Sequence, residues 1–249
     1  MISEFPLFVF TVLTGLSAGA YVGAALFPKQ DDGPRPWLFP VVALILVGVG
    51  SLAAIGHLGR PSMVLNVLNN PTASLTLEGM TSGLLALVAV VDLALCASKK
   101  KANRAVRIVG AIAGVVCMCV VTSAYVSCYG NPAWTAACTW PLFVLGDLAA
   151  GAALWMCFAD MPNKPLATLV AVAALLFAVV LIWQAMTFAG LGKPFGFIVC
   201  GAVFAIAGAV GGWATASTHL WNTAAKVVFV LLAVALVASR YGFYLVSIL

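Results

Sequence analysis

Charge is what this sequence has least of. Only 8% of its 249 residues are Asp, Glu, Lys or Arg, whereas soluble domains carry about 25%. With 64% hydrophobic residues and a mean hydropathy of +1.14, a water-soluble globule is excluded. The chain also lacks the alternating ten-residue segments that a transmembrane β-barrel requires. No polar stretch is long enough for a separate soluble domain, so any chemistry outside the membrane must come from another chain. The seven cysteines include no C-x-x-C pair, which argues against an iron-sulfur cluster in this chain. Cys96, Cys117, Cys119, Cys157 and Cys200 fall in apolar runs, where cysteine is usually a small filler.

What is present is length without polarity. Eight apolar runs lie near 5–27, 37–58, 75–97, 106–128, 140–159, 165–188, 195–216 and 226–247. A helix of about 20 residues crosses a hydrocarbon core of about 30 Å, so each run predicts a membrane span. The expected fold is an all-α integral membrane protein, a single domain over residues 1–249. The connectors, such as "FPKQDDGPRP", "YGNPAW", "DMPNKP" and "AGLGKP", are short and rich in turn residues. "MISEFP" carries Glu4 and no basic residue before the first run, unlike a signal peptide, so the first helix is expected to be retained.

Sidedness follows from the basic residues in the loops. One set holds Lys29, Arg35, Lys99, Lys100, Lys101, Arg104, Arg107, Lys164 and Lys226, and the other only Arg60 and Lys193. Nine against two predicts the first set inside and both termini outside. The net charge of +5 is then a matter of topology, and "SKKKANRAVR" calls for no nucleic acid partner. Under this layout His219, before the eighth helix, is a membrane thickness away from His57. A haem held by two histidines is therefore unavailable within one chain, and only His plus Met ligation stays open. Cys128 and Cys138 flank an outer loop and can form a disulfide if that side is oxidising.

The polar groups that remain are few enough to weigh singly. "HLGRP" ends the second run, and Glu78 of "ASLTLEG" opens the third at the same face. Pro61 disfavours helical geometry at Arg60, so helix 2 should stop near Gly59. Pro61 also suits the start of a short surface helix in which Asn66, Asn69 and Asn70 oppose Met63, Val64, Val67 and Leu68. Such a helix would form a lid or wall over whatever His57 and Glu78 contact. A glutamate in a first helical turn complements the helix dipole, and Arg60 can meet lipid phosphate. Together, though, an imidazole and a carboxylate across one loop make a proton-accepting pair for an amphiphilic substrate from the bilayer. Arg240, with Tyr244 one turn beyond it, is expected to face the bundle and meet a carboxylate, a carbonyl or a ligand, with snorkelling as the rival. Asp147 must be paired or functional, and no partner is named by the sequence. Asp92 and Asp160, near the inner ends, are expected to be solvated.

Taken in order, "HLGRP", Asn66, "LN" at 68–69, "ASLTLE" at 73–78, "Y-x6-P-A-W" at 125–134, "TWP" at 139–141 and "R-x-x-F-Y" at 240–244 carry a resemblance. The chain resembles the membrane anchor subunits of dimethyl sulfoxide reductase-type molybdoenzymes, more closely than the wider polysulfide reductase-type anchors. The resemblance implies eight helices with both termini outside, in the cytoplasmic membrane of a prokaryote. It implies a subunit of anaerobic respiratory electron transport that oxidises menaquinol without haem, metal or iron-sulfur cluster of its own. It would dock at its outer face onto a four-cluster iron-sulfur subunit and, through that, a molybdopterin catalytic subunit, which carries out terminal substrate reduction. His57 and Glu78 match the residues tied to menaquinol binding and oxidation. Gly59, Arg60, Tyr125, Arg240 and Tyr244 are the further candidates for contact, with Arg60 or Arg240 stabilising charge on the ring oxygen. Rival readings are a secondary transporter, whose site would sit near the bilayer midplane, and a tether that binds no quinol.

Overall fold

The computed structural model describes residues 4–29, 35–58, 60–159, 162–216 and 221–247. Gly59, Asp160 and His219, singled out above, lie outside them. The described regular elements are all helical: α1 (Phe5–Leu26), α2 (Leu38–His57), a 3-10 segment (Pro61–Asn69), α3 (Ser74–Lys99), α4 (Arg104–Val126), α5 (Thr139–Met156), α6 (Lys164–Gly190), α7 (Gly196–Thr215) and α8 (Trp221–Leu245). All eight α-helices are long and apolar enough to cross a membrane, and the chain is a multi-pass membrane protein. Their bounds fall within a few residues of the apolar runs, the largest difference being α8, which begins five residues before the expected 226.

Local signals explain several ends. The Asn103 side chain accepts from the amides of Ala105 and Val106 at 2.9 and 3.4 Å, capping α4. Asn163 does the same for Leu166 at 3.0 Å, capping α6. α3 ends where Lys100 turns left-handed, with φ 50°.

The distribution of polarity is inverted relative to a soluble protein. Ile45, Leu52, Leu87, Val179 and Val210 are exposed on the outside of the bundle, whereas Glu78, Asp92, Arg107, Asp147, Gln184 and Arg240 are buried. Hydrocarbon solvates the former and not the latter. α1 occupies the centre, packed against α2, α4 and α5 and touching α8. Its Gly15, Gly19 and Gly23 recur every four residues and face α5. A Cβ on Gly19 would strike the Asp147 carbonyl, and one on Gly151 would strike the backbone of Gly19 and Ala20. The two backbones are thus in contact, the small-residue packing that membrane helices favour.

The start of α1, the end of α2 and the end of α8 share one end of the bundle. The Phe8 ring meets Tyr241 and Tyr244 edge-on at 6.1 and 6.4 Å, and Glu4 meets His57. The opposite end is closed by Tyr21, Phe39 and Trp155, whose indole donates to the Phe27 carbonyl at 3.0 Å.

Asp92 overturns an expectation. It is fully buried rather than solvated, with Oδ2 3.6 Å from Nε of buried Arg107. Asp92 lies seven residues before the last residue of α3, about 10 Å inside the helix end, where a lone carboxylate is costly. The Arg107 guanidinium also lies over the Phe39 and Trp155 rings, 5.3 and 5.0 Å from their centroids. Arg107, counted above as a loop cation, is thus an interior one. Removing it from the nine leaves eight against two, and the charge asymmetry persists.

Candidate functional site

A cavity of about 430 Å³ opens between α1, α2, the 3-10 segment and α3. α2 contributes Gly48, Ser51, Ala54 and Ile55, with Leu58 just beyond its end, and α3 contributes Leu75, Thr76, Glu78, Gly79, Met80, Ser82, Gly83 and Ala86; Phe10 of α1 closes the back. Space here has a simple source. A Cβ added at Gly48, Gly79 or Gly83 would meet nothing within 4 Å, so these glycines border a void instead of a neighbouring helix.

The remaining wall is the 3-10 segment, through Val64, Leu65, Val67 and Leu68. The predicted surface helix exists, but as a 3-10 segment broken at Met63 (φ −103°, ψ 19°). With this winding, Leu65 takes the place expected for Met63 in the cavity-lining set, although both side chains are exposed. What holds this wall is Thr76, whose hydroxyl lies 2.7 Å from the Val67 carbonyl and 2.8 Å from that of Asn70. Sequence reasoning overlooked Thr76, although a threonine in the first turn after a loop is a common side-chain-to-backbone anchor.

Glu78 is the one ionisable residue among those lining the cavity. It is 7% exposed, and its side chain makes no hydrogen bond or ion pair among the described residues. Ser51 lies on the facing wall with a buried hydroxyl that has no hydrogen-bond partner. Ser82 is bonded to the Gly79 carbonyl at 3.2 Å. The chamber is therefore a mainly apolar one with a few polar atoms, and its size falls within the ~300–1,000 Å³ of small-ligand sites. It suits a mainly apolar molecule with a hydroxyl that donates a hydrogen bond to Glu78.

The other candidates are distributed around this cavity rather than within it. His57 is not paired with Glu78: its Nε2 lies 3.3 Å from Oε2 of Glu4. Its neighbours Ile55 and Leu58 line the cavity, whereas its own side chain is 38% exposed at the helix end. Arg60 is exposed.

Tyr125, Arg240 and Tyr244 lie deeper in the bundle and do not line the cavity. Arg240 is fully buried, with Nη2 2.8 Å from Asp147 Oδ1 and 3.2 Å from the Phe143 carbonyl, and its guanidinium stacks 3.3 Å over the Phe143 ring. The carboxylate expected for Arg240 is thus Asp147, and snorkelling is ruled out by zero exposure. Tyr244 shares hydrogen bonds with Tyr125 at 2.5 Å and Thr11 at 3.3 Å. The Trp134 indole donates to the Phe243 carbonyl at 3.0 Å and stacks on its ring. The "Y-x6-P-A-W" and "R-x-x-F-Y" segments thus interlock as an aromatic core. Cys128 and Cys138 are free thiols, and buried Cys138 lies 3.9 Å from the Thr187 hydroxyl. Among the described residues, no three of His, Cys, Asp and Glu gather into a metal-binding group.

Residues 1–195 match the family model described as DMSO reductase anchor subunit (DmsC). The sequence is 30% identical over 207 residues to the C subunit of the anaerobic dimethyl sulfoxide reductase of Haemophilus influenzae, covering 73% of this chain and 70% of that one. It is 31% identical over 141 residues to the protein of the same name in Escherichia coli, covering 53% of this chain and 49% of that one.

Proposed function

Since this chain belongs to the DMSO reductase anchor subunit family, we propose that it oxidises menaquinol for a respiratory molybdoenzyme in a prokaryotic cytoplasmic membrane. It delivers electrons singly to the nearest cluster of an iron-sulfur subunit, and through it to a molybdopterin subunit that reduces the terminal acceptor. The observation that carries this reading is the apolar cavity with Glu78 as its one ionisable lining residue.

The chain's own residues divide the work. The apolar walls of α2, α3 and the 3-10 segment take up the naphthoquinol ring and exclude water. Glu78 accepts a hydrogen bond from one hydroxyl, with Ser51 offering a second polar contact. As two electrons leave the quinol, two protons leave with them and the product is the quinone. Glu78 takes the proton of the hydroxyl it holds, and His57, at the solvent-touching end of α2, carries protons to water. Arg60, exposed beyond the same helix end, offers a cation near the exit.

The charge asymmetry of the loops supports an orientation with this end of the bundle outside. Protons are then released on the face where reduction of the terminal acceptor consumes them, and turnover is electroneutral. The test is fluorescence quenching of a menaquinol-analogue inhibitor in membranes holding the intact complex. Stoichiometric binding by the wild type that is weakened in Glu78→Gln supports a quinol site in this cavity. Binding unchanged in Glu78→Gln moves the site elsewhere, and absence of binding in the wild type favours a tether or a transporter.

A further inference from the structure

We propose that Glu4 is a positioning residue for proton release from this cavity, acting through His57; the inference rests on the quinol reading above. Glu4 precedes α1, and its carbonyl accepts from the Phe8 amide at 2.9 Å, which fixes the residue at the helix start. Two residues beyond Phe8 on the same helix, Phe10 forms part of the cavity wall. The Glu4 Oε2 atom is shut off from water and has no hydrogen-bond partner, yet it lies 3.3 Å from Nε2 of His57. A shielded carboxylate oxygen beside one imidazole nitrogen sets which way that ring is used. Glu4 Oε2 stands beside Nε2 without a hydrogen bond, so the contact is one of charge, and Nδ1, across the ring from that contact, is the atom offered to an incoming proton. Nδ1 takes a proton arriving from the cavity, the Glu4 carboxylate faces the ring on its other side and holds it in place, and the ring then loses a proton to water. No electron passes through either residue.

The surroundings leave this role to Glu4. The 3-10 segment carries no ionisable side chain. α3 presents Glu78 inside the cavity, and Arg60 beyond α2 is exposed. Among the described residues at the start of α1, Glu4 is the acidic group at this end.

The test uses the assembled complex in membranes, a short-chain menaquinol analogue as reductant and the inhibitor-binding assay in parallel. Glu4→Gln keeps the shape and removes the charge. It is expected to lower kcat roughly tenfold, less than the ~10²-fold or greater loss on removing a proton acceptor itself. KM and inhibitor affinity should stay within about twofold, and the pH profile of kcat/KM should shift. Glu4→Asp should recover most of the rate. In a His57→Gln background, Glu4→Gln should add no further loss, because both substitutions break one unit. A wild-type kcat and pH profile in Glu4→Gln would overturn the proposal, as would losses that multiply with those of His57→Gln. Equal damage from Glu4→Asp and Glu4→Gln with reduced assembly would make the role structural and also overturn it. If the inhibitor still depends on Glu78, only the role of Glu4 has failed; if the wild type does not bind it, the quinol reading fails as well.

Discussion

Glu78 and Asp147 are both buried carboxylates, and their neighbours give them opposite tasks. Asp147 is held by Arg240 at 2.8 Å, whereas Glu78 faces a cavity with no partner among the described residues. Glu78→Gln, nearly isosteric, is expected to cut quinol oxidation by about 10²-fold or more while the complex assembles normally. A rate within twofold of wild type in membranes would remove Glu78 from the mechanism. For the ion pair, Arg240→Met should destabilise the subunit by about 3–5 kcal/mol by stranding Asp147, and the double change with Asp147→Leu should regain most of that. Thermal unfolding of the detergent-solubilised complex measures this, and equal losses in the single and double variants would contradict it. The sequence marks both residues as needing company. It cannot pair them, because Asp147 and Arg240 stand 93 positions apart on different helices and any interior carboxylate would have served the arginine. The pairing of Glu4 with His57 was hidden for the same reason: nothing local connects residue 4 to residue 57.

At the level of elements, glycine serves two opposed purposes that composition alone cannot separate. On α1 and α5 it lets backbones touch, so Gly151→Leu should block close packing of the two helices and abolish assembly. Around the cavity it leaves room, so Gly83→Leu should be tolerated by the fold yet fill the chamber and prevent inhibitor binding. Immunodetection of the assembled complex and the quenching assay separate these outcomes; Gly83→Leu binding inhibitor as the wild type does would place the ligand elsewhere. The helical runs themselves were readable because each is long and apolar. The short connector after "HLGRP" was readable as a helical wall, but its 3-10 winding was not, since that depends on Thr76 of the next helix holding its last carbonyls.

Across the whole molecule, an even number of spans puts α1's start and α8's end together, and loop cations select the side. A tag at the C-terminus is expected to react with membrane-impermeant reagents only from outside; reaction from the cytoplasmic side alone would reverse the proposed orientation. By itself, the sequence determined that the chain lives in a membrane, how many times it crosses and which family it resembles, because these depend on hydropathy summed over about 20 residues and on short ordered motifs. Only the tertiary structure decided which polar residues meet. It drew Asp92 into a buried pair with Arg107, gave His57 to Glu4 and set Glu78 alone in the cavity. In a medium that solvates no charge, each such group must find a partner or a ligand inside the bundle, and that choice is made by helix packing, which no local stretch of sequence contains.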